Sequence, residues 1–309
     1  MIMNWTLKNM PDLTGKTAIV TGGNSGIGYS TALELARNGA CVVIATRSKV
    51  RGEAAVTRIK TAYPAAKVQA EVLDLADLSS VEAFAVRFMV AHPVLDILVN
   101  NAGVMAIPKR EVTRNGFEMQ VGVNHLGHFA LTALLMTALK SSKDGRVVTV
   151  SSMAAKSPEN IDDYMSEKEY KPMAAYGKSK ISNLLFSMEL SRLLQETKIK
   201  SIAVHPSLSA TDLFKTDSIP LGIMLKFLLK AFALSAEQGA MPTLFAATSP
   251  EAQNGAFYAP VRFKGKDKLV RTEKPFGISE DWNAAKTLWS QSEAWTGLKI
   301  DPTPARPPA

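Results

Sequence analysis

Cysteine is almost absent. Cys41 stands alone in 309 residues, so there is no intramolecular disulfide framework, and with only four histidines a cysteine-rich zinc module is excluded as well. Both scarcities fit a reducing compartment, and a cytoplasmic protein is expected. Aromatic residues make up 7% of the chain and nowhere interleave with a basic stripe. A nucleic-acid partner is therefore not expected despite a net charge of +8, because the positive residues are scattered among acids, as Asp267 is among Lys264 to Lys268. The first twenty residues carry Asp12 and several polar groups where a basic start and an apolar run would mark a secretory signal, so none is expected. Internal repeats, a long linker and the nucleophile elbow of a hydrolase are missing too. What remains is an ordinary globular balance, 46% hydrophobic and 21% charged, whose general positive field favours a polyanionic small molecule.

From Lys16 to Tyr258, short runs rich in Val and Ile alternate with longer stretches of helical periodicity. The strand candidates are Ala18 to Val20, Val42 to Ala45, Val68 to Leu73, Leu95 to Asn100, Val147 to Val150, Ile199 to Val204 and Ala256 to Tyr258. Apolar almost throughout, each reads as a strand buried on both faces. Helices are predicted at Gly26 to Asn38, Arg51 to Tyr63, Ser79 to His92, Gly116 to Lys140, Ala174 to Gln195 and Ala236 to Thr248. The pattern predicts an α/β fold: a doubly wound parallel sheet of about seven strands with helices on both faces, in one domain over residues 1–299. Pro302, Pro304, Pro307 and Pro308 predict a flexible tail over residues 300–309. Between the last two strands, Ile219 to Leu234 sets Leu221, Met224, Leu225, Leu228, Leu229 and Phe232 at helical spacing. It is too short and too charged to span a bilayer. A core helix, a membrane-surface helix and a lid over a substrate cleft are its three readings, and its position favours the lid.

Directly after the first strand candidate of that series comes Thr21-Gly22-Gly23-Asn24-Ser25-Gly26-Ile27-Gly28, followed by a helical run. Glycines at a strand-to-helix turn let the chain bend tightly and let a pyrophosphate reach the free amides of the helix N-terminus. The end of the next strand discriminates between nucleotides. An acid there would hold ribose hydroxyls, whereas this chain has Thr46-Arg47-Ser48, and an arginine pairs with a 2′-phosphate. Arg47 therefore points to NADP(H), with NAD(H) as the alternative.

Farther along, Ser151-Ser152 follows a strand, and Tyr176-Gly177-Lys178-Ser179-Lys180 opens an apolar helix. Tyrosine and lysine four apart share a helical face. A phenol with an ordinary pKa of about 10 is a poor base at neutral pH, and a neighbouring ammonium favours its ionised form. The spacing alone is unspecific, because Tyr164 and Lys168 repeat it. That pair lies amid Asp162, Asp163, Glu167 and Glu169, the setting of an exposed surface segment, whereas Tyr176 precedes Ile181, Leu184, Leu185 and Met188 at core-facing spacing.

Five ordered elements, Thr-Gly-x-x-x-Gly-x-Gly, Asn100-Asn101-Ala102-Gly103, Asn124, Ser151-Ser152 and Tyr-x-x-x-Lys, resemble the short-chain dehydrogenase/reductase family over Thr14 to Lys299. Val123 to Phe129, the acidic stretch before Tyr176, Glu237 to Ala240 and Leu288 to Gly297 resemble its retinol-dehydrogenase-like branch. The resemblance implies a Rossmann-type fold and hydride transfer between a nicotinamide and a carbonyl or alcohol carbon of an apolar substrate. It implies that Tyr176 is the proton donor or acceptor, that Ser152 hydrogen-bonds the substrate oxygen, that Lys180 binds the nicotinamide ribose and tunes Tyr176, and that Asn124 supports a water relay. By chemistry alone Ser151 is an alternative to Ser152. The cofactor would be lined by Gly22, Asn24, Ser25, Gly26, Ile27, Gly28, Arg47, Asp74, Leu75, Asn101, Ala102, Gly103, Pro206, Ser207 and Thr211. For the family at large a dimer or tetramer is implied, and for this branch a monomer is compatible.

One departure stands out: Pro206-Ser207 replaces the family's usual Pro-Gly. A serine there would restrict backbone angles beside the nicotinamide, and it keeps open a rival reading, a cofactor-binding regulatory protein without turnover. His125 and His128, three apart, lack a third ligand for a metal and read as packing or capping residues, and His205 reads as a strand-end residue.

Overall fold

In chain order the strands of the computed structural model are β1 (Ile2–Met3), β2 (Thr17–Thr21), β3 (Cys41–Thr46), β4 (Val68–Val72), β5 (Ile97–Asn100), β6 (Gly145–Val150), β7 (Ile199–Val204), β8 (Phe257–Pro260) and β9 (Val270–Thr272). The structure describes residues 1–3, 5–156, 161–207, 234–261 and 269–303. The Ile219 to Leu234 segment up to residue 233, Thr211, Lys264 to Lys268 and residues 304–309 lie outside the described residues.

The sheet runs β1-β9-β8-β7-β6-β5-β2-β3-β4. Strands β2 to β8 are parallel, as the apolar runs predict, but β4 is not buried on both faces as expected: it is the edge strand of the sheet, and Gln69 and Val72 are exposed. Among the described residues the sheet nevertheless has nine strands and not seven, because β9 pairs antiparallel with β8, and β1 with β9. Two and three residues are too few to carry a periodic signal, so these edge pieces leave no trace in the apolar pattern.

Among the described residues seven helices surround the sheet: α1 (Gly26–Arg37), α2 (Lys49–Ala62), α3 (Leu78–Ala91), α4 (Met119–Lys140), α5 (Pro172–Leu193), α6 (Ala236–Thr248) and α7 (Trp282–Thr296). Alternation along β2 divides the core. Ala18 and Val20 pack with α1 and α6 residues such as Leu35 and Phe245, while Ile19 packs with α3, α4 and α5 through Phe84, Phe129 and Phe186. Helix α4 has a window of mean hydropathy 1.2, apolar enough to cross a membrane, but 83% of that window is buried inside the protein. Its apolarity therefore serves the core.

Helix α7 was not anticipated. It begins at Asp281, whose carboxylate accepts the Asn283 and Ala284 amides, and ends at Gly297 with φ 70°. Trp289 on α7 stacks on Phe186 at 5.8 Å and meets Phe129 edge-on at 5.2 Å. Beyond α7, Ile300 is buried and Asp301 pairs with Lys140 at 2.9 Å. The anchored chain thus passes residue 299, where a flexible tail was expected to begin.

Strand order reverses between β2 and β5, so the chain segments leaving their carboxyl ends diverge and open a crevice. That crevice holds the candidate site.

Candidate active site

A cleft of about 860 Å³ runs along the carboxyl ends of the strands. All the described residues proposed from sequence line it except Asn124, which stands directly behind its wall. At its centre the chain leaves β2 through Gly22, with φ 65°, and enters α1 at Gly26, with φ 53°. A Cβ at Gly28 would lie 2.4 Å from the Gly22 carbonyl oxygen and 2.5 Å from Asn101 Nδ2, so no larger residue fits that first turn. The Ser25 side chain makes no capping bond, and Gly26, Ile27 and Gly28 border the cleft. An open helix N-terminus with closely packed glycines fits a pyrophosphate.

One end of the cleft is cationic. The exposed Arg47 follows β3, and Arg51 on the first turn of α2 joins it. Gly52 brings α2 this close, since a Cβ there would sit 2.8 Å from both Ala70 and Thr46 side-chain carbons. Thr46 Oγ1 donates to Asn24 Oδ1 at 2.9 Å and ties the glycine turn to the end of β3. Arg51 escaped the sequence reading. Its signal was an arginine four residues past Arg47 at the start of a predicted helix. Asp74 Oδ1 accepts the Ala76 amide at 3.0 Å, and Asp74 and Leu75 form the opposite wall.

The floor comes from the loop after β5. Asn101 lines the cleft, but its amide nitrogen donates to the Thr21 carbonyl at 2.8 Å, so its side chain braces the glycine turn. Ala102 and Gly103 complete the floor. Asn124 lies in a π-turn, Gly122–Leu126, within α4 and is wholly buried. Its Nδ2 donates to the Val104 carbonyl and to Ser179 Oγ, and its Oδ1 accepts the Val104 amide at 2.8 Å. It is therefore no surface helix residue. It clamps the floor loop against α5.

At the other end, Ser152, Tyr176 and Lys180 meet. The serine pair resolves cleanly: Ser151 Oγ donates to the Lys180 carbonyl at 2.7 Å and is buried, whereas Ser152 is partly open to the cleft and hydrogen-bonds the Tyr176 phenol. Lys180 Nζ donates to the Val150 carbonyl at 3.1 Å and sits 5.8 Å from the centre of the Tyr176 ring. Burial drives the Lys180 ammonium down to about 8. Burial also pushes the Tyr176 phenol up to about 12, and the Ser152 bond offsets only part of that. The expected lowering of the phenol by its neighbouring cation does not appear: burial raises the phenol, and the Ser152 bond is the influence that lowers it. Tyr164 brings a second correction. It is buried against Trp295 at 6.1 Å, not exposed, and its chain segment is not helical, so it never shares a face with Lys168.

Ser207 adopts φ 60°, the left-handed conformation that glycine would take. Its amide donates to His205 Nδ1 at 3.1 Å, which holds the turn. The serine therefore strains the backbone without redirecting it, and Pro206 and Ser207 both border the cleft. Four methionines missed by the sequence reading, Met105, Met119, Met153 and Met173, line the cleft with Tyr176. His125 bonds Ser292 Oγ on α7 and His128 bonds the Asn124 carbonyl. Among the described residues no three His, Cys, Asp or Glu side chains group to hold a metal.

Comparison with known proteins agrees with this arrangement. Residues 16–219 match the family described as short chain dehydrogenase. Human retinol dehydrogenase 14 is 38% identical over 302 residues, covering 92% of this chain and 87% of its own. The crystal structure of an uncharacterised protein from Mycobacterium paratuberculosis superposes with a TM-score of 0.78 at 36% identity, covering 97% of this chain and 100% of its own. A 3-ketoacyl-(acyl-carrier-protein) reductase from Brucella melitensis, complexed with NADH, reaches a TM-score of 0.62 at 27% identity, covering 80% of this chain and 97% of its own. With its doubly wound sheet, glycine turn and Ser-Tyr-Lys corner, the chain belongs to the short-chain dehydrogenase/reductase family, in its retinol-dehydrogenase-like branch.

Proposed function

We propose that this chain is an NADPH-dependent oxidoreductase that interconverts an apolar ketone or aldehyde with its alcohol. The observation that carries the reading is a single cleft with two arginines at one end and a protonated phenol, bonded to Ser152, at the other. Arg47 and Arg51 favour NADPH, since both would attract a 2′-phosphate, and no acid stands at the end of β3 to hold the free ribose hydroxyl. The Brucella reductase carries NADH, so the preference is a property of this chain's own residues. Gly22 to Gly28 would hold the pyrophosphate, and Asn101 to Gly103, Lys180, Pro206 and Ser207 would hold the nicotinamide riboside.

Bound nicotinamide supplies the hydride chemistry. Tyr176 gives its proton to the carbonyl oxygen in reduction and takes it back in oxidation, while Ser152 orients that oxygen. Lys180, whose Nζ lies 5.8 Å from the centre of the Tyr176 ring, would pass the phenol a proton and take one back from solvent in each turnover, burial favouring the release. Asn124 holds the loop that faces Lys180. Met105, Met119, Met153 and Met173 offer an adaptable apolar wall for a greasy substrate.

The test is a spectrophotometric panel of aldehydes, ketones and alcohols with NADPH and NADH in parallel, run on the parent, Tyr176→Phe and Arg47→Asp. Tyr176→Phe should lower kcat by at least about a hundredfold with NADPH affinity intact. Arg47→Asp should cost NADPH binding about 1.5–3 kcal/mol and spare NADH. Full turnover by the phenylalanine variant, or equal affinity of the parent for both coenzymes, would overturn the respective half of the assignment.

A further inference from the structure

His128 has no part in the chemistry above, yet both of its ring nitrogens are engaged and the residue is buried. Nδ1 lies 2.9 Å from the Asn124 carbonyl oxygen. A carbonyl only accepts, so Nδ1 carries the hydrogen. In a neutral ring Nε2 is then a bare acceptor, and its partner at 2.8 Å, Thr21 Oγ1, donates to it. That leaves the threonine oxygen two acceptor sites, and two amides fill them, those of Asn101 and Ala102, both at 2.9 Å. The Val99 carbonyl, at 3.2 Å, is the more distant candidate for the threonine hydrogen. Every donor and acceptor in this cluster is thus matched for one tautomer. A protonated ring would aim a second N–H at an oxygen whose acceptor sites are taken. Burial also drives His128 down to about 4, and the Lys180 ammonium acts in the same direction.

The four groups joined in this way belong to the two halves of the cleft. Thr21 is the residue before the glycine turn, and Asn101 and Ala102 are its floor. Asn124 clamps Val104 to α5 and stands over Gly103, where a Cβ would lie 3.1 Å from Asn124 Oδ1 and 3.6 Å from Lys180 Nζ. We propose that His128 is a positioning residue for hydride transfer: as a neutral imidazole with hydrogen on Nδ1, it fixes the spacing between the glycine cradle and the Asn124–Lys180 corner. The kinetic part of this inference rests on the oxidoreductase reading.

The experiment uses the full chain with the best carbonyl substrate and NADPH. His128→Leu removes both bonds, His128→Asn offers an amide N–H to the Asn124 carbonyl but does not reach Thr21, and Thr21→Val removes the hydroxyl while keeping the shape. Misplacing reacting groups by about an ångström costs on the order of a hundredfold. The expectation is a fall in kcat of at least about tenfold for His128→Leu, with substrate KM little changed, partial rescue in His128→Asn, and a further fall in the double variant with Thr21→Val, because the Asn101 and Ala102 amides then lose their acceptor as well. A packing role would lower only the melting temperature, with kcat per folded molecule within about twofold of the parent, and that result would overturn the proposal. If His128→Leu does not fold, His128→Asn is read by the same kcat criterion. The ring ¹⁵N shifts of the parent at neutral pH are independent of turnover. A hydrogen on Nδ1 alone is expected, and one on Nε2 or on both nitrogens would overturn the inference even if no carbonyl is reduced.

Discussion

Acid should destabilise this protein through its buried histidines. His125 is driven down to about 3 by burial and then by His128, and His128 and His205 are driven down to about 4, burial being the largest cause in both. Glu273 lies 3.7 Å from His205 Nε2, too far for a hydrogen bond, and is itself paired with Arg271, so it does not hold a charge on that ring. In the unfolded chain each histidine titrates near 6.5. Above that value neither state binds the proton and the groups contribute nothing to the pH dependence. Below it the unfolded chain takes up protons that the native chain refuses, so stability falls until the native values are reached. At pH 5, a unit and a half below the unfolded value, each ring costs about 2 kcal/mol, because one unit is about 1.36 kcal/mol. Three rings cost about 6 kcal/mol, comparable with the whole stability of many domains. The figure does not depend on where below about pH 4.5 the native groups titrate. Urea unfolding at pH 7.5 and pH 5.0 measures it directly. His125→Phe should shrink the difference between the two pH values by about 2 kcal/mol, whatever it does to stability at either. A difference below about 2 kcal/mol in the parent would refute the reasoning, as would an unchanged difference in the variant.

Two further outcomes follow from the backbone of the cleft. Gly28→Ala places a methyl 2.4 Å from the Gly22 carbonyl oxygen; we expect a chain that folds but binds NADPH at least about tenfold more weakly in a fluorescence titration, and an unchanged dissociation constant would refute the fit of the cradle. Ser207→Gly removes a strained φ of 60°, worth about 1–2 kcal/mol, at an entropic cost of about 0.5–1 kcal/mol. The melting temperature should therefore rise by a few degrees, and a fall would show that the serine is held by more than its bond to His205.

The inner parallel strands were legible because burial on both faces writes itself as runs rich in Val, Ile and Ala, and the glycine turn because it stands at the first strand-to-helix turn of an alternating fold. Interactions between distant residues were not. Nothing local to Tyr164 announces Trp295 as its cover, and nothing local to Tyr176 announces how completely its ring is buried. Ser207 read as an obstacle because the His205 imidazole that accepts its amide acts through side-chain geometry that a motif does not encode. Helix α7 was missed for a different reason. Its signals, Asp281 at one end and Gly297 at the other, were present, but its apolar residues pack sideways on α4 and α5, away from the sheet. The choice of Ser152 over Ser151 needed the Lys180 carbonyl, which claims the first hydroxyl.

The order of synthesis gives α7 one more consequence. Trp289 backs Phe129 and Phe186, and Ser292 takes up His125, but α7 is translated after all three. A nascent chain paused on the ribosome before Trp282 already contains Asn124, Ser152, Tyr176 and Lys180, yet the outer flanks of α4 and α5, which bear three of them, are bare and greasy. The packing behind the site is therefore completed late in translation, and until then that flank is the surface a chaperone would grip.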